Sequence, residues 1–499
     1  MSNGDRMPAD GLASTGVSGL DDILGGGLPR NRLYLIQGSP GAGKTTLALQ
    51  YLLEGVRLGE ACLYITLSES RAEVVDVAHA HGWSLDGIDM IELDSAGDLF
   101  RGDAQTTVFH PSEVELNAVT GMIREAAERL RPARVVFDSL SEYRLLAQSA
   151  LRHRHQLLEF KRLFSTIGST VLLVDDKNFG PISADPHVLS LAHGVIDLEQ
   201  LAPIYGVPRR RLQASKLRGV RYREGFHDFI IETGGMRAFP RLVAAEHHKK
   251  FHAEAVPSGN AALDNLLGGG LDRGTTSLIM GPAGTGKSTL ALLYAARMAE
   301  RGERVLLFSF DETLGIALAR ARTLGFDLAP HIDSGLIQTQ HLDPAELSPG
   351  EFANRVQRGV QAGAKLVIID SLNGYMHAMP GEAHLIHQLH ELSAYLNQQG
   401  VATMLLLALH GIMGDADSKL ELSYLADTVV SLRYFETAGE VRKAIAVVKK
   451  RSGAHERTIR EIQFASDSGV TLGPPLKEFA GVLTGTPRFL GGTEQIMSP

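Results

Sequence analysis

The sequence of 499 residues has very little cysteine and tryptophan, with Cys62 and Trp83 as the single examples. One cysteine excludes an intramolecular disulfide and a zinc ribbon built from several thiolates. The apolar runs, such as Val401 to Leu409, have the length of strands, whereas a membrane span needs roughly 20 apolar residues. The N-terminal segment, Met1 to Asp10, also lacks the apolar core of a signal peptide. We therefore expect a cytoplasmic protein that does not act at a membrane.

An excess of positive charge is also missing. The chain has 49 Lys and Arg residues against 57 Asp and Glu residues, which gives a formal net charge of −8. This balance argues against a large contact surface for the phosphate backbone of nucleic acids, so nucleic acid is not an expected partner. The apolar fraction of 44% and the charged fraction of 21% are typical of a globular protein. A chain of this length is expected to form more than one domain.

An internal repeat divides the chain into two similar halves. The segment LGGGL at Leu24 to Leu28 returns at Leu267 to Leu271, a spacing of 243 residues. Later in the repeat Asp138 corresponds to Asp370, a spacing of 232 residues, so one copy has gained or lost about ten residues between these points. So long a period indicates two copies of a whole domain rather than a solenoid of short units.

The repeat also predicts the domain boundaries. We expect a flexible N-terminus at 1–12, a first domain at 13–245, a linker at 246–253, a second domain at 254–487 and a short tail at 488–499. The linker contains the pair His247-His248. No Cys or carboxylate accompanies this pair at the spacing of metal ligands, so a solvated linker is a simpler interpretation than a metal site.

Short apolar runs alternate with longer amphipathic segments in both halves. Helices are predicted at Thr45–Leu58 and at about Arg71–Gly82, and a further helix ends near Arg131. The predicted strands are Leu33–Gln37, Ala61–Leu67, Arg134–Asp138 and Thr170–Val174 in the first half, and Thr276–Met280, Val305–Phe310, Leu366–Asp370 and Ala402–Leu409 in the second. Apolar strands that alternate with helices predict a mostly parallel sheet covered on both faces, and hence two α/β domains.

Each half contains the pattern G-x-x-x-x-G-K-[ST] between a predicted strand and a predicted helix. Glycines let backbone N–H groups approach phosphates closely, and the helix N-terminus adds positive potential. The lysine reaches the β- and γ-phosphates, and the hydroxyl that follows it ligates Mg²⁺. ATP and Mg²⁺ are therefore the expected cofactors. The predicted ATP-binding residues are Gly38, Gly41, Ala42, Gly43, Lys44, Thr45 and Thr46 in the first copy, and Gly281, Gly284, Thr285, Gly286, Lys287, Ser288 and Thr289 in the second.

An aspartate ends a predicted apolar strand downstream of each glycine-rich loop. Asp138 occupies this position in the first copy and Asp370 in the second. A carboxylate at the end of a neighbouring strand commonly supplies the second protein contact to the Mg²⁺ ion of a nucleotide. We predict Mg²⁺ sites formed by Thr45 with Asp138 and by Ser288 with Asp370.

Further carboxylates follow the second strand of each copy, namely Glu69 in the first copy and Asp311 and Glu312 in the second. The carboxyl ends of parallel strands converge on the crevice where α/β sheets bind ligands. These residues are the candidate catalytic bases that would orient or deprotonate the attacking water. Capping of a helix N-terminus is the structural alternative for them.

A duplicated RecA-type domain with these motifs resembles the KaiC family of bacterial ATPases. The resemblance extends from about Gly16 to about Arg488 and includes Lys216-Leu217-Arg218-Gly219 and Lys449-Lys450-Arg451. It implies two tandem RecA-like P-loop NTPase domains and a homohexamer of double rings with ATP at the subunit interfaces. It further implies that four cations contact the γ-phosphate of the neighbouring subunit's ATP and stabilise the transition state. These cations are Lys216, Arg218, Lys449 and Arg451.

The clock member of this family phosphorylates itself on adjacent Ser and Thr residues of the second domain. The corresponding pair here is Ser423-Tyr424, so Ser423 is the candidate phosphoacceptor and serine/threonine autokinase activity is a hypothesis. The chain also ends soon after Arg488, where the clock protein has a longer segment that docks its activator. These differences favour a related ATPase or signalling role over full clock function.

The paired acidic residues of the family differ between the two copies. They are reduced to Ser68-Glu69 in the first copy and are Asp311-Glu312 in the second. The two sites are therefore expected to be unequal. We expect the first ring mainly to hydrolyse ATP and to assemble, and the second also to transfer phosphate.

Three functions remain open from the sequence. The first is a hexameric clock or signalling ATPase, with serine/threonine autokinase activity as a further hypothesis and a small regulatory or signalling protein as a candidate partner. The second is a RecA/RadA-like DNA-dependent ATPase, against which the acidic charge balance argues. The third is a nucleotide-gated assembly scaffold with negligible turnover.

Overall fold

The structure, a computed structural model, divides into two compact units, Met1–Arg241 and Leu242–Pro499. It describes residues 11–67, 69–93, 111–147, 149–177, 186–202, 206–377, 385–409, 420–437, 439–466, 469–483 and 487–490. Within these ranges the side chains of 111–117, 146, 186, 187, 344, 377 and 420–422 are not described. Most of the predicted N-terminus 1–12, most of the predicted tail 488–499, and Ser68 lie outside the described residues.

The first unit alternates strands and helices along the chain. Its described strands are β1 (Leu12–Ala13), β2 (Leu28–Pro29), β3 (Leu33–Gly38), β4 (Cys62–Thr66), β5 (Ile88–Glu92), β6 (Arg134–Asp138), β7 (Thr170–Asp176), β8 (Gly194–Leu201), β9 (Arg209–Leu217), β10 (His227–Glu232) and β11 (Gly235–Phe239). Its described helices are α1 (Leu20–Ile23), α2 (Lys44–Arg57), α3 (Arg71–Ala80), α4 (Pro111–Leu130), α5 (Leu140–Ala147), α6 (Ala150–Ile167) and α7 (Pro186–Leu191).

Nine of these strands form one sheet, in the order β11-β10-β9-β8-β3-β7-β6-β4-β5. Strands β8, β3, β7, β6, β4 and β5 are parallel, and β9 to β11 extend the sheet as antiparallel strands. Side chains alternate between the two faces, so Tyr34 and Ile36 pack in one apolar cluster while Leu33 and Leu35 pack in the other. Both faces of the parallel region are therefore covered, as the continuous apolar strands predict.

The second unit repeats this arrangement. Its described strands are β12 (Ala255–Val256), β13 (Leu271–Asp272), β14 (Thr276–Gly281), β15 (Arg304–Ser309), β16 (Ile337–His341), β17 (Ala364–Asp370), β18 (Ala402–Ala408), β19 (Thr428–Thr437), β20 (Glu440–Lys450), β21 (Arg460–Ala465), β22 (Gly469–Pro475), β23 (Phe479–Ala480) and β24 (Arg488–Phe489). Its described α-helices are α8 (Ala261–Leu266), α9 (Lys287–Glu300), α10 (Leu314–Thr323), α11 (Ala329–Asp333), α12 (Pro349–Gln361), α13 (Leu372–His377) and α14 (Leu385–Gln398). Short 3₁₀ helices lie at Ala244–Glu246, Pro344–Glu346 and Leu420–Leu425.

The sheet of the second unit has the order β16-β15-β17-β18-β14-β19-β20-β21-β22, which is the order of the first sheet with corresponding strands in corresponding places. Strands β16, β15, β17, β18, β14 and β19 are parallel, and β20 to β22 extend the sheet as antiparallel strands. The two units are tandem RecA-like α/β domains, and the predicted fold class is confirmed. Among the described residues, no helix is both long enough and apolar enough to span a bilayer.

The change of repeat spacing has two parts. Strand β5 begins at Ile88 and its counterpart β16 at Ile337, so the second copy has already gained residues before this strand, where α11 is found. The first copy then has the longer connection between β5 and β6, which reverses the change and lowers the spacing to that of Asp138 and Asp370. The net change in the repeat spacing therefore results from two insertions, one in each copy.

Part of the predicted linker, which lies within the second unit, contacts helix α14. The ring of His247 lies 5.2 Å from that of Tyr395, with an angle of 87° between the ring planes. The backbone N–H of Lys249 donates a hydrogen bond to the carbonyl of Gln398. The segment that joins the repeats is thus anchored on α14, although the residues around it are mostly exposed.

Candidate functional site

The first glycine-rich loop joins the end of β3 to the start of α2. A Cβ atom at Gly38 would overlap the carbonyl oxygen of Leu198, and one at Gly43 would lie 2.5 Å from Ile231. Gly43 also has a φ of 97°, a left-handed conformation that L-residues with side chains rarely adopt. Lys44 follows as the first residue of α2, and its Nζ donates a hydrogen bond of 3.1 Å to the carbonyl of Gly38. The loop therefore has the tight backbone turn and the lysine of a phosphate-binding site.

The second loop has the same geometry between β14 and α9. Gly286 has a φ of 107°, and a Cβ atom there would overlap the ring of Phe464. The Nζ of Lys287 donates hydrogen bonds of 2.8 Å to the carbonyls of Gly281 and Pro282. Burial lowers the pKa of Lys287. Both predicted loops thus place a lysine ammonium inside a curved run of backbone.

The predicted Mg²⁺ ligands lie together in both units. The hydroxyl of Thr45 donates a hydrogen bond of 2.9 Å to Oδ2 of Asp138, and the hydroxyl of Tyr64 donates one of the same length to that oxygen. In the second unit Ser288 and Asp370 line the same small cavity, and Ser288 acts to lower the pKa of Asp370. Burial raises the pKa of both aspartates, so each carboxylate is poorly solvated.

This donor set fits Mg²⁺. The ion prefers oxygen ligands and is typically held by only one or two protein side chains together with phosphate oxygens and water. A hydroxyl beside a strand-end carboxylate, buried at Asp138 and half-buried at Asp370, offers such a partial set in each unit. Within the described ranges, no group of three or more His, Cys, Asp and Glu side chains is placed to hold a metal ion.

The candidate base of the first unit is desolvated. The backbone N–H of Glu69 donates a hydrogen bond of 3.1 Å to the hydroxyl of Thr66, which fixes the chain at the end of β4. Burial raises the pKa of Glu69, and the nearby charge of Asp138 raises it further. Its Oε2 is buried and has no hydrogen-bond partner in the part of the chain that the structure describes. Such a carboxylate can accept a proton readily.

The candidate bases of the second unit are both paired. The hydroxyl of Ser371 donates a hydrogen bond to Oδ2 of Asp311. The guanidinium of Arg320 donates two hydrogen bonds to Glu312, of 2.6 Å and 2.7 Å. The two units therefore bring their carboxylates to the same place on the sheet but give them different partners.

A residue that the sequence analysis missed lies against the first lysine. The carboxylate of Asp176 is 2.7 Å from Nζ of Lys44. Asp176 ends β7 and pairs with Gly38 in the register of the sheet, whereas Ala408 pairs with Gly281 in the second unit. The sequence shows a carboxylate shortly after the predicted strand Thr170–Val174. Its contact with Lys44 could not be predicted, because that contact depends on β7 being the neighbour of β3.

A cavity of about 400 Å³ opens beside the second loop, within the size range of ligand sites. Its lining includes Gly286, Lys287, Arg320, Lys443 and Phe464. The ammonium of Lys443 lies 5.2 Å from the centre of the Phe464 ring. The antiparallel strands β20 and β21 supply these two side chains, which no sequence motif identified. A smaller cavity of about 170 Å³ adjoins Ser288, Glu312 and Asp370.

The K-x-R segments lie away from the loops of their own units. In the sheet register Lys216 is level with Val195 and hence with Leu35, near the amino end of β3, whereas the glycine-rich loop follows its carboxyl end. Arg218 continues beyond this level, where its backbone N–H bonds to His193. Lys216 donates a hydrogen bond of 2.6 Å to the carbonyl of Leu189, and burial lowers its pKa.

The second unit has the same placement. Lys449 is level with Val429 and hence with Leu278, again near the amino end of the central strand. Arg451 follows it, with a guanidinium nitrogen 3.7 Å from the carboxylate of Asp427. These cations therefore do not join the phosphate-binding loop within the same unit.

The candidate phosphoacceptor lies beside this second K-x-R segment. Ser423 belongs to the 3₁₀ helix Leu420–Leu425, and its carbonyl accepts a hydrogen bond of 2.9 Å from Nζ of Lys449. The neighbouring Tyr424 is 49% exposed, and its ring centre lies 6.5 Å from that of His390.

Comparison with known proteins gives one family. A family model described as "ATPase: KaiC" matches residues 13–243 and again residues 256–477. The chain belongs to the KaiC ATPase family. The duplicated glycine-rich loops and strand-end carboxylates are consistent with the two matches, and the predicted resemblance is confirmed.

Curated relatives match almost the whole chain. The circadian clock oscillator protein KaiC of Acaryochloris marina is 26% identical over 482 residues, covering 95% of this chain and 90% of that protein. The protein of the same name from Synechococcus elongatus is 26% identical over 482 residues, covering 95% and 91%. The circadian clock protein KaiC3 of Synechocystis sp. is 26% identical over 501 residues, covering 96% and 95%. The chain is thus a KaiC-like ATPase that binds ATP.

Proposed function

We propose that this KaiC-like protein hydrolyses Mg²⁺-ATP at two sites per chain, within a homohexamer whose subunit interfaces complete each site. The observation that carries the proposal is the repeated convergence of a P-loop lysine, a following hydroxyl and a strand-end aspartate, as in Lys44, Thr45 and Asp138. Two elements that are distant in the chain supply these groups in each unit, α2 with β6 in the first and α9 with β17 in the second. A structural turn alone would not require their convergence.

The residues divide the chemistry among them. Backbone N–H groups of the loop and the lysine ammonium hold the β- and γ-phosphates, and Thr45 with Asp138 or Ser288 with Asp370 would hold Mg²⁺. When bound, the metal neutralises charge that develops on the phosphate oxygens. In the first unit Glu69 takes the proton of the attacking water, because its buried Oε2 has a raised proton affinity.

The subunit interface supplies the remaining cations in this proposal. Lys216, Arg218, Lys449 and Arg451 all lie near the end of the sheet opposite the loop of their own unit. A ring in which this end of one subunit faces the loop of the next would bring them to the neighbouring γ-phosphate. Cations placed there stabilise the transition state and make hydrolysis dependent on assembly.

The same placement makes Ser423 the candidate for autophosphorylation. Its backbone is bonded to Lys449, so a ring that presents Lys449 to the neighbouring ATP also presents Ser423 to it. Mass spectrometry after incubation with Mg²⁺-ATP tests this activity. Phosphate on Ser423 is the expected result, and an unmodified Ser423 in protein that actively releases phosphate would rule it out.

Hydrolysis itself is tested by phosphate release from the full chain and from Lys44→Ala and Lys287→Ala variants. Each single variant should retain the turnover of the other site, and the double variant should have none. Undiminished phosphate release by the double variant would exclude both P-loops as the site of hydrolysis. Light scattering of the same samples with and without ATP distinguishes an enzyme from a scaffold that assembles without turnover.

A further inference from the structure

The helix that follows the candidate base differs between the two units at one position. Helices α3 and α10 begin two residues after Glu69 and Glu312 respectively, and both contain ten residues. The seventh residue is Val77 in α3 and Arg320 in α10. A residue two turns into a helix can return its side chain to the segment before the N-terminus, because side chains point toward the helix start.

Arg320 uses this position to bind Glu312 through both carboxylate oxygens. Its two terminal nitrogens donate hydrogen bonds of 2.6 Å and 2.7 Å, one to each oxygen. The pair is half-buried, since the exposed fraction of the side chain is 31% for Arg320 and 22% for Glu312. Bidentate arginine–carboxylate pairs are among the strong and geometrically specific hydrogen bonds of proteins.

Arg320 also lies close to the phosphate-binding loop of the second unit. It lines the cavity shared with Lys287 and Phe464, and it lines the smaller cavity shared with Ser288, Glu312 and Asp370. The guanidinium that holds Glu312 therefore belongs to the group of side chains around the second phosphate-binding loop. In the first unit Val77 packs against the apolar cluster and carries no charge toward Glu69.

We propose that Arg320 is a positioning residue of the second site that restrains Glu312 and slows hydrolysis there relative to the first site. This inference rests on the proposed ATPase function. A base needs a free oxygen directed at the attacking water, and the arginine holds both oxygens of Glu312. The second unit consequently retains ATP for longer. Longer retention favours the proposed transfer of phosphate to Ser423 over hydrolysis.

The test uses the full chain with Lys44→Ala, so that only the second site turns over. Adding Arg320→Val should raise the turnover number for phosphate release about tenfold, because a charge-assisted bidentate pair no longer has to be broken before the base can act. Arg320→Lys, which keeps the charge but not the fork, should give an intermediate rate. Arg322→Ala is the matched control and should leave the rate unchanged. It removes another, more exposed arginine of α10, which pairs with Asp327 beyond the end of the helix.

The reciprocal change is Val77→Arg in a Lys287→Ala background, where only the first site works. This variant should slow the first site, with circular dichroism confirming that the helix is intact. Turnover that is unchanged or reduced by Arg320→Val, in folded protein, would overturn the inference. If neither the Lys44→Ala parent nor its Arg320→Val derivative releases phosphate while the second site still binds ATP, Arg320 is not what limits hydrolysis there. Phosphate release from the Lys287→Ala protein tests the proposed hydrolysis at the first site separately.

Discussion

At the scale of single residues, the two P-loop lysines have different neighbours. Lys44 is held by the carboxylate of Asp176, whereas the residue at the same register position in the second unit is Ala408. A nucleotide that enters the first site must take Lys44 away from this carboxylate and must bring its phosphates close to a negative charge. The first site is therefore expected to bind ATP more weakly than its loop alone would allow.

Replacing Asp176 by Asn should tighten nucleotide binding at the first site. The amide keeps the shape but neither repels phosphate nor pairs ionically with Lys44, so the dissociation constant should fall about tenfold. Calorimetric titration of ADP into a Lys287→Ala background measures it. Ala408→Asp in a Lys44→Ala background is the reciprocal change and should weaken the second site. Weaker binding by Asp176→Asn would show that this carboxylate helps to hold the nucleotide.

The protonation of Glu69 predicts the pH dependence of the first site. Burial and Asp138 raise the pKa of Glu69, and a base must be ionised, so activity falls as pH falls through this raised pKa. In a Lys287→Ala background the acidic limb of the rate profile should lie above the ordinary glutamate pKa of about 4.3. Glu69→Gln should reduce turnover by about 10²- to 10⁴-fold with little effect on nucleotide binding. A Glu69→Gln protein with normal turnover would assign the base elsewhere.

At the scale of elements, the start of α3 fixes the position of Glu69. Ser70 accepts a hydrogen bond from the backbone of Glu73, whose side chain in turn accepts one from the backbone of Ser70. This capping box satisfies donors that the first helical turn would otherwise leave unpaired. In α10 the corresponding Thr313 accepts no such bond within the described residues. Glu69, the proposed base of the first site, therefore precedes a helix whose N-terminus is capped by side chains.

Ser70→Ala should lower the free energy of unfolding of the first unit by about 1 kcal/mol, the usual contribution of an N-cap. Thr313→Ala is the matched control in the second unit and should have a smaller effect. Chemical denaturation followed by circular dichroism gives both values. Equal losses for the two variants would mean that the capping box adds nothing to stability.

The elements also show what the sequence could predict. Apolar runs and the glycine-rich loop are local signals, so they predict strands such as Arg134–Asp138 and Thr170–Val174, although β7 continues to Asp176. The contact of Asp176 with Lys44 was missed because it depends on β7 lying beside β3, an order that no local pattern encodes. Arg320 was missed for a related reason, since its role follows from the direction of its side chain on a helix.

At the scale of the whole molecule, the proposed ring makes each site depend on two subunits. The Lys216-x-Arg218 segment is near the amino end of β3 and the P-loop is at its carboxyl end, so one subunit cannot join them. In a Lys287→Ala background, Lys44→Ala subunits lack the lysine of the first P-loop but retain Lys216 and Arg218. Subunits with Lys216→Ala and Arg218→Ala have the converse defect.

Mixing these two inactive proteins should restore part of the turnover at the first site, because some interfaces combine an intact loop with intact cations. Phosphate release from the mixture, compared with that of each protein alone, measures the effect. Protein incubated without ATP before mixing serves as a control for assembly. Normal turnover by the Lys216→Ala, Arg218→Ala protein alone would remove these residues from the transition state.

The central claim is that each chain has two working ATP sites, one in each copy of the repeat. The most direct measurement counts bound nucleotide per chain while recording phosphate release for the wild-type protein, Lys44→Ala, Lys287→Ala and the double variant. We predict two nucleotides in the wild-type protein, one in each single variant and none in the double variant, with phosphate release lost completely only in the last. A single nucleotide in the wild-type protein, or continued release by the double variant, would contradict the claim.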